Sequence, residues 1–408
     1  LKILLGTSLY APNAIGGAEK VVQLLAVDLV RQGHRVIVVT TQPRGGPQHK
    51  EVDGVSVYYV PVRNIYRPFN GVEAGPISKT VWRFVDSYNV LMTQPLSQII
   101  ARENPDIINT HNISGLSVSM WSTAHQQGIP IVHTMHDQYL LCHRSTMFKR
   151  GRNCVNICAD CRLLAAPRKY ASRHVNAVIG VSNFILRRHK QFGYFKFASP
   201  SVIYNIGGNK AQESSTRVAS ESAIRFGFLG QIIATKGLHV LIDAFQRIGS
   251  TNSELWIGGN GVSLYKSELR ERTRKDRNIH WLGFIDPEKF FPEIDVLIVP
   301  SVWQDTAPLV ILEAFNHGIP VIASNRGGIP ELMGPQTGWL FDPDESDSLD
   351  RVLRDCMQSP DKLAAMRQAC LMHARRMTSS PWSEAYLAIF RSVIARHEPE
   401  KTLTGGAA

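Results

Sequence analysis

Short runs of aliphatic and β-branched residues alternate with helical patterns along nearly the whole chain, and that alternation restricts the folds open to it. KILLGTS is followed by a helix from about Glu19 to Gln32, then by RVIVVTT, and later by DIINTHN, IPIVHTMHD and AVIGVS. Strands that alternate with helices build parallel sheets with crossover helices, the α/β class. The Ser/Gly-rich stretch ASPSVIYNIGGNKAQESSTRVASES breaks the pattern and reads as an interdomain linker. The alternation then resumes with IRFGFLG, the helix LHVLIDAFQRI, ELWIGG, NIHWLGF, DVLIVPS, a helix after Asp305, PVIAS and GWLF. Closing helices are expected from about Ser346 to His397, with EPEKTLTGGAA as a frayed polar tail. The expected domains are 1–200, a linker at 201–222, a second domain at 223–380 and a C-terminal helix and tail at 381–408. Two Rossmann-like halves of this kind form a cleft at the carboxyl ends of their strands, where such sheets place ligands.

A chain of 408 residues exceeds one ordinary core and is long enough to bury two. A hydrophobic fraction of 44% with 19% charged residues excludes a disordered or collagen-like chain. No run approaches the length of a membrane-spanning helix, and LKILLGTSLY lacks the apolar core and cleavage site of a signal peptide. A cytoplasmic protein is expected. The formal charge of +11 is unevenly spread: residues 1–200 hold 23 Lys and Arg against 10 Asp and Glu, leaving 22 against 24 for the rest. Arg144 to Arg173 is the densest part, with eight basic residues and one acid, Asp160. Such a field is either a solvated basic face or a surface for an anionic partner, and peripheral contact with the inner face of the plasma membrane is one expectation. Nucleic acid is not expected, since neither zinc-finger spacing nor an aromatic sheet signature is present.

Three stretches carry chemistry. Gly16 and Gly17 lie between the first strand and its helix, where glycines let a backbone approach a phosphate; a turn that serves only the loop is an equal alternative, and no GxGxxG fingerprint is present. In GFLGQIIATKGLHVLIDAF, a strand ends at Leu229, Gly230 follows, and Lys236-Gly237 opens a helix, a place where the lysine suits a pyrophosphate and is otherwise unfavourable to the helix dipole. In WQDTAPLVILEAFNHGIPVIAS, Thr306 is the expected N-cap and Pro308 sits in the first turn, so the N–H groups of Ala307, Leu309 and Val310 can hold a phosphate or sugar. Asp305 and Glu313 then suit hydroxyl groups that flank the phosphate, although an N-terminal acid and an ordinary helix glutamate would look the same in isolation.

Seven pieces in order resemble the retaining nucleotide-sugar glycosyltransferases of family 4, over nearly the whole chain. They are the Gly16-Gly17 loop, HTMHD at 133–137, GFLGQ through Lys236-Gly237, WIGGNG at 256–261, HWLGF at 280–284, the acid-x7-acid motif that ends in LEAFNHGIPVIAS, and NRGGIPEL with GWLFDPD. The resemblance implies the GT-B fold, two Rossmann-like domains that face one another across a cleft, with a C-terminal helix that can cross back to the first. It implies that Lys236 neutralises the departing diphosphate, that Asp305 meets the transferred sugar, that Glu313 binds the ribose and that His136 lies near the sugar. The donor site would also include Gly230, Gln231, Phe284 and its neighbours, and the N–H groups of Thr306, Ala307, Leu309 and Val310. Gln231 stands where many relatives have an arginine, Asp305 where they have a glutamate, and Pro308 lacks an N–H. Family members retain the anomeric configuration and generally need no metal; Asp342-Pro343-Asp344 reads as structural.

LCHRSTMFKRGRNCVNICADC holds Cys142, Cys154, Cys158 and Cys161, four of the six cysteines. The spacing ends in the CxxC common in structural zinc sites, and the alternatives are a zinc-stapled loop and reduced thiols in a mobile one. No cofactor is expected for catalysis. The leading expectation is transfer of a hexose-type sugar from a UDP- or GDP-type donor to a glycan or lipid-linked glycan in polysaccharide assembly. The alternatives are a non-catalytic nucleotide-sugar-binding subunit and an epimerase or phosphorylase on the same fold.

Overall fold

A computed structural model describes residues 1–13, 16–42, 45–66, 74–208, 223–378 and 382–404. The chain divides into two compact units: Leu1–Met147 with Cys154–Tyr204 and Pro381–Ala408, and Phe148–Asn153 with Asn205–Ser380. From residue 209 to 222 the expected linker lies outside the described residues, as do the last four residues of the tail.

The first unit is built on β1 (Lys2–Thr7), β2 (Arg35–Gln42), β3 (Gln48–Val52), β4 (Val55–Pro61), β5 (Ile107–Thr110) and β6 (Ile131–Met135). A short hairpin follows, β7 (Phe148–Lys149) and β8 (Arg152–Asn153), which packs with the second unit. The sheet is completed by β9 (Ala177–Gly180) and β10 (Ser199–Val202), in the order β10-β9-β6-β5-β1-β2-β4-β3. All neighbours are parallel except β3, whose polar, exposed QHKEV runs antiparallel to β4 and blunts that edge. The central strands are buried along their length, save Lys2 at the start of β1, because helices cover both faces. Helix Gly17–Arg31 buries Val21, Val22, Leu25, Ala26 and Leu29, the spacing of one helical face. The C-terminal helix Trp382–Thr404 belongs to this unit: Trp382 Nε1 donates to the Tyr204 carbonyl at 3.0 Å, and His397 Nε2 lies 3.0 Å from the Gly128 carbonyl. It continues past His397 to Thr404, through residues expected to fray.

The second unit's sheet contains β11 (Ile224–Leu229), β12 (Ser253–Gly258), β13 (Ile279–Gly283), β14 (Val296–Val299), β15 (Val321–Ser324) and β16 (Gly338–Phe341), all parallel, in the order β13-β12-β11-β14-β15-β16. Its core brings Phe226, Leu255 and Ile298 of the strands against Leu241 and Phe245 of helix Leu238–Ile248. Counted from its own first strand, this sheet runs 3-2-1-4-5-6, the Rossmann order. The crossover direction reverses between β11 and β14. The first unit reverses likewise between β1 and β5. Loops that leave the carboxyl ends of strands at such a reversal diverge and open a crevice, so the segments after β11 and β14, and after β1 and β5, are where each unit can hold a ligand.

Candidate active site

After β11 the chain passes Gly230 and the exposed Gln231 to a single 3-10 turn, Ala234–Lys236, before helix Leu238–Ile248 begins. Gly237 joins the two with φ of +72°, and a Cβ there would lie 1.8 Å from the Pro300 carbonyl oxygen. Only glycine lets the lysine turn press this closely on the segment that follows β14. Val302 N–H donates to the Thr235 carbonyl at 3.0 Å and locks the two segments together. Lys236 Nζ thereby reaches Asp305 Oδ2 at 2.7 Å and lies 5.7 Å from the Trp303 ring centre. Ser301 Oγ donates to the same carboxylate oxygen at 3.1 Å. Asp305 is buried, so its charge is held by a matched cation and a hydroxyl rather than by water.

The helix after Asp305 differs from expectation. It spans Leu309–Asn316 with Pro308 as N-cap, and Thr306 lies two residues before that cap as a buried residue. Proline disfavours helical geometry at the residue before it, so Ala307 cannot join the helix and the start moves past Thr306. Leu309 and Val310 are then the first two helical residues, whose N–H groups have no acceptor within the helix. Glu313, half-buried, lies one turn further on. The structure therefore gathers Lys236, Asp305, Thr306, Ala307, Leu309, Val310 and Glu313 on the segments that follow β11 and β14, two neighbouring strands at the reversal point. Gly230 meets the end of β12 through its N–H to the Gly258 carbonyl at 3.1 Å. Phe284 follows Gly283 at the end of β13 with its ring 88% exposed. Asp342 and Asp344 both pair with Arg326, at 3.2 and 2.6 Å, which fits a structural role.

In the first unit Gly16 is the N-cap of helix Gly17–Arg31, and its N–H donates to Glu19 Oε2 at 3.0 Å. A carboxylate of the chain itself thus sits at the helix entrance, where the glycines suggested phosphate. His136 follows β6, and its Nε2 lies 2.9 Å from Nδ1 of His111, which follows β5. Burial lowers the pKa of His136 to about 4 and that of His111 well below the usual histidine value, so both rings are neutral at physiological pH. Asp137 is pushed the other way, up to about 7, first by burial, while the Tyr139 N–H at 2.7 Å opposes the shift and the charge of Glu19 adds to it. A carboxyl that titrates near neutrality beside a neutral histidine can exchange a proton or accept from a hydroxyl.

A model of Glycosyltransferase Family 4 matches residues 15–206, and one described as Glycosyl transferases group 1 matches residues 223–359. An uncharacterised 42.6 kDa protein in the cps region of Klebsiella pneumoniae is 30% identical over 86% of this chain and 92% of its own length. The chain belongs to glycosyltransferase family 4. Its fold is GT-B: the family 4 chain aligns with sucrose-phosphate synthase from Thermosynechococcus elongatus at a TM-score of 0.75, with 15% identity over 97% of this chain and 100% of the other. Anabaena HepE, solved with UDP and glucose, aligns at 0.70 with 20% identity over 96% and 99%.

For a family 4 glycosyltransferase the sequence motifs left several site groups unnoticed. Ser301 lies within DVLIVPS, which reads simply as a strand end. His111 could have been found, because DIINTHN and IPIVHTMHD place a histidine beyond the ends of two adjacent parallel strands. The cysteine loop is drawn together in part. Cys161 Sγ donates to Cys142 Sγ at 3.7 Å and lies 3.3 Å from His143 Nδ1. Cys158 caps helix Ala159–Ala171, and Cys154 donates its N–H to the Met147 carbonyl. Among the described residues no group of three or more His, Cys, Asp or Glu side chains is arranged to hold a metal ion. No described helix is long and apolar enough to cross a membrane.

Proposed function

We propose that this glycosyltransferase moves a hexose-type sugar, with retention of configuration, from a UDP- or GDP-type donor to a glycan or lipid-linked glycan. The observation that carries the reading is the Lys236–Asp305 pair beside the N-terminus of helix Leu309–Asn316. A diphosphate that leaves the sugar gains negative charge, and an ammonium group with oriented backbone N–H groups offers stabilisation before the charge develops. Lys236 and the N–H groups of Leu309 and Val310 take the diphosphate, Asp305 accepts from sugar hydroxyls, and Glu313 accepts from the ribose. The acceptor hydroxyl attacks the face from which the phosphate departs, and the leaving phosphate oxygen takes its proton, so the step needs no metal. That HepE was solved with UDP and glucose favours a uridine donor. The positive excess of the first half supports an acceptor at an anionic membrane face, which is tested by sedimentation with anionic vesicles at low salt.

Gln231 favours a second reading, a subunit that binds donor without turnover, because this exposed amide brings no charge to the leaving group where many relatives have an arginine. One experiment separates the two. UDP-, GDP- and ADP-hexoses are screened for thermal stabilisation, then for slow donor hydrolysis, with Lys236→Ala and Glu313→Ala beside the wild type. Stabilisation and sugar release, both lost in the variants, support the transferase; stabilisation alone supports the binding subunit; neither refutes both.

A further inference from the structure

The segment Ser301–Asp305 is irregular and carries Asp305, the partner of Lys236, so its placement depends on what holds its backbone. Three sides are tied within the second unit's own sheet region. Val302 N–H bonds Thr235, Ser324 Oγ donates to the Ser301 carbonyl at 2.7 Å, and Gly328 N–H donates to the Asp305 carbonyl at 2.7 Å. Gln304 adds its own side chain, with Oε1 accepting from Gly327 N–H at 2.6 Å.

The fourth side is held by the hairpin β7–β8. Arg150 and Gly151, with φ of +51° and +76°, form its two-residue turn, the positive pair that a tight hairpin of this hand requires. The turn sets Asn153 opposite Phe148. From there the carboxamide makes two bonds: Nδ2 donates to the Val302 carbonyl at 2.9 Å, and Oδ1 accepts from Gln304 N–H at 3.0 Å. The amide orientation is fixed by this pair, since the reverse would set donor against donor and acceptor against acceptor. One side chain thus replaces a neighbouring strand for the residues on either side of Trp303. Trp303 has its buried Nε1 without a partner among the described residues, so its indole does not anchor the segment by a polar bond.

We infer that Asn153 is a positioning residue for transfer: it holds the Val302–Gln304 backbone so that Asp305 stays at Lys236 and in reach of the donor sugar. The inference rests on the proposed donor site. It also gives the hairpin within the cysteine loop a task in the reaction.

The test compares Asn153→Ala, Asn153→Asp and Lys236→Ala in the full chain, by UDP binding, by UDP-glucose hydrolysis and by hydrogen exchange of the 301–306 peptide. A displacement of the order of an ångström in a reacting group costs about a hundredfold in rate, so kcat in Asn153→Ala should fall by about that factor while UDP affinity, set by Lys236 and Glu313, stays within about threefold. Exchange at Gln304 N–H should quicken by about tenfold or more as its acceptor is lost. Asn153→Asp keeps the acceptor for Gln304 but turns a carboxylate on the Val302 carbonyl, so Gln304 protection is retained better than in the alanine variant while kcat still falls. Wild-type kcat and unchanged exchange in Asn153→Ala overturn the inference. Unchanged UDP binding and hydrolysis in Lys236→Ala overturn the donor-site reading instead, whatever the exchange at Gln304 shows.

Discussion

Lys236 Nζ and Asp305 Oδ2 stand 2.7 Å apart, with the carboxylate buried and the lysine side chain still 26% exposed. The pair is therefore asymmetric: removal of the lysine leaves a buried anion with Ser301 Oγ as its hydrogen-bonding side chain, whereas removal of both leaves no charge behind. Lys236→Ala should destabilise the protein by about 2 kcal/mol, and the double variant Lys236→Ala/Asp305→Ala by less than the sum of the single changes. Urea unfolding of the four proteins measures this directly, and simple additivity would show that the two groups do not support one another. Donor turnover in Lys236→Ala should drop by about 10²–10³.

Gly237 sets the distance on which that pair depends. Gly237→Ala forces a Cβ to within 1.8 Å of the Pro300 carbonyl oxygen at φ of +72°, so either the lysine turn or the Ser301–Asp305 segment must move. A loss of about 3 kcal/mol is expected, together with loss of donor-induced stabilisation. Gly249 is the control: its φ is +57°, but an added Cβ meets nothing closer than 3.9 Å, so Gly249→Ala costs about 1 kcal/mol and leaves donor binding intact. Equal effects at both glycines would show that left-handed strain alone, and not the contact with Pro300, matters here.

Most of the strands were legible because parallel strands buried on both faces spell themselves as runs such as KILLGT and VLIV. The Lys236–Asp305 contact was not, because a separation of 69 residues is closed by register in the sheet and by a glycine whose meaning depends on Pro300. Thr306 was misplaced for a local reason: its hydroxyl suits a cap, but the two residues after it decide where the helix starts, and Pro308 moves that start to Leu309. The hairpin at Phe148–Asn153 hid among cysteines and arginines. Its strands are two residues each, too short for any alternation to register.

The cysteine pair makes a chemical prediction. Cys142 is the thiol that ionises first, drawn down to about 6 by the S–H of Cys161 and by the N–H groups of Arg144, Met147 and Thr146 against the opposing effect of burial; Cys161 is held up by the same partner. A thiolate 3.7 Å from a second sulfur needs the gap to close to about 2.05 Å for a disulfide. Diamide should therefore oxidise the pair while being reduced itself, and a peptide linked through Cys142 and Cys161 should appear by mass spectrometry. Cys161→Ser should prevent it. A reaction that starts only after a chelator is added would show instead that a metal holds the thiols, the zinc staple that the sequence spacing suggested.

Acid should loosen the first unit through its histidines. His111, His133, His136 and His189 are all lowered by burial, the latter two to about 4. The unfolded chain takes up their protons near pH 6.5 while the folded chain does not. Their contribution is therefore complete above pH 6.5 and is lost as pH falls toward 4. Asp137 acts oppositely: raised to about 7, it stabilises the folded state at low pH, and that contribution is lost as pH rises from the ordinary carboxylate range to 7. Burial raises Asp86 in the same direction as Asp137, so two carboxyls oppose the four histidines; the histidines outnumber them, and stability should rise with pH between about 4.5 and 6.5. His189→Gln, which removes a buried ring hydrogen-bonded to the Ile185 carbonyl, should reduce the slope by at most about 1.4 kcal/mol per pH unit, and Asp137→Asn should steepen it. Urea unfolding at pH 5, 6 and 7 gives the slopes. A wild-type stability that stays flat or falls across this range would mean that these rings are already protonated in the folded protein.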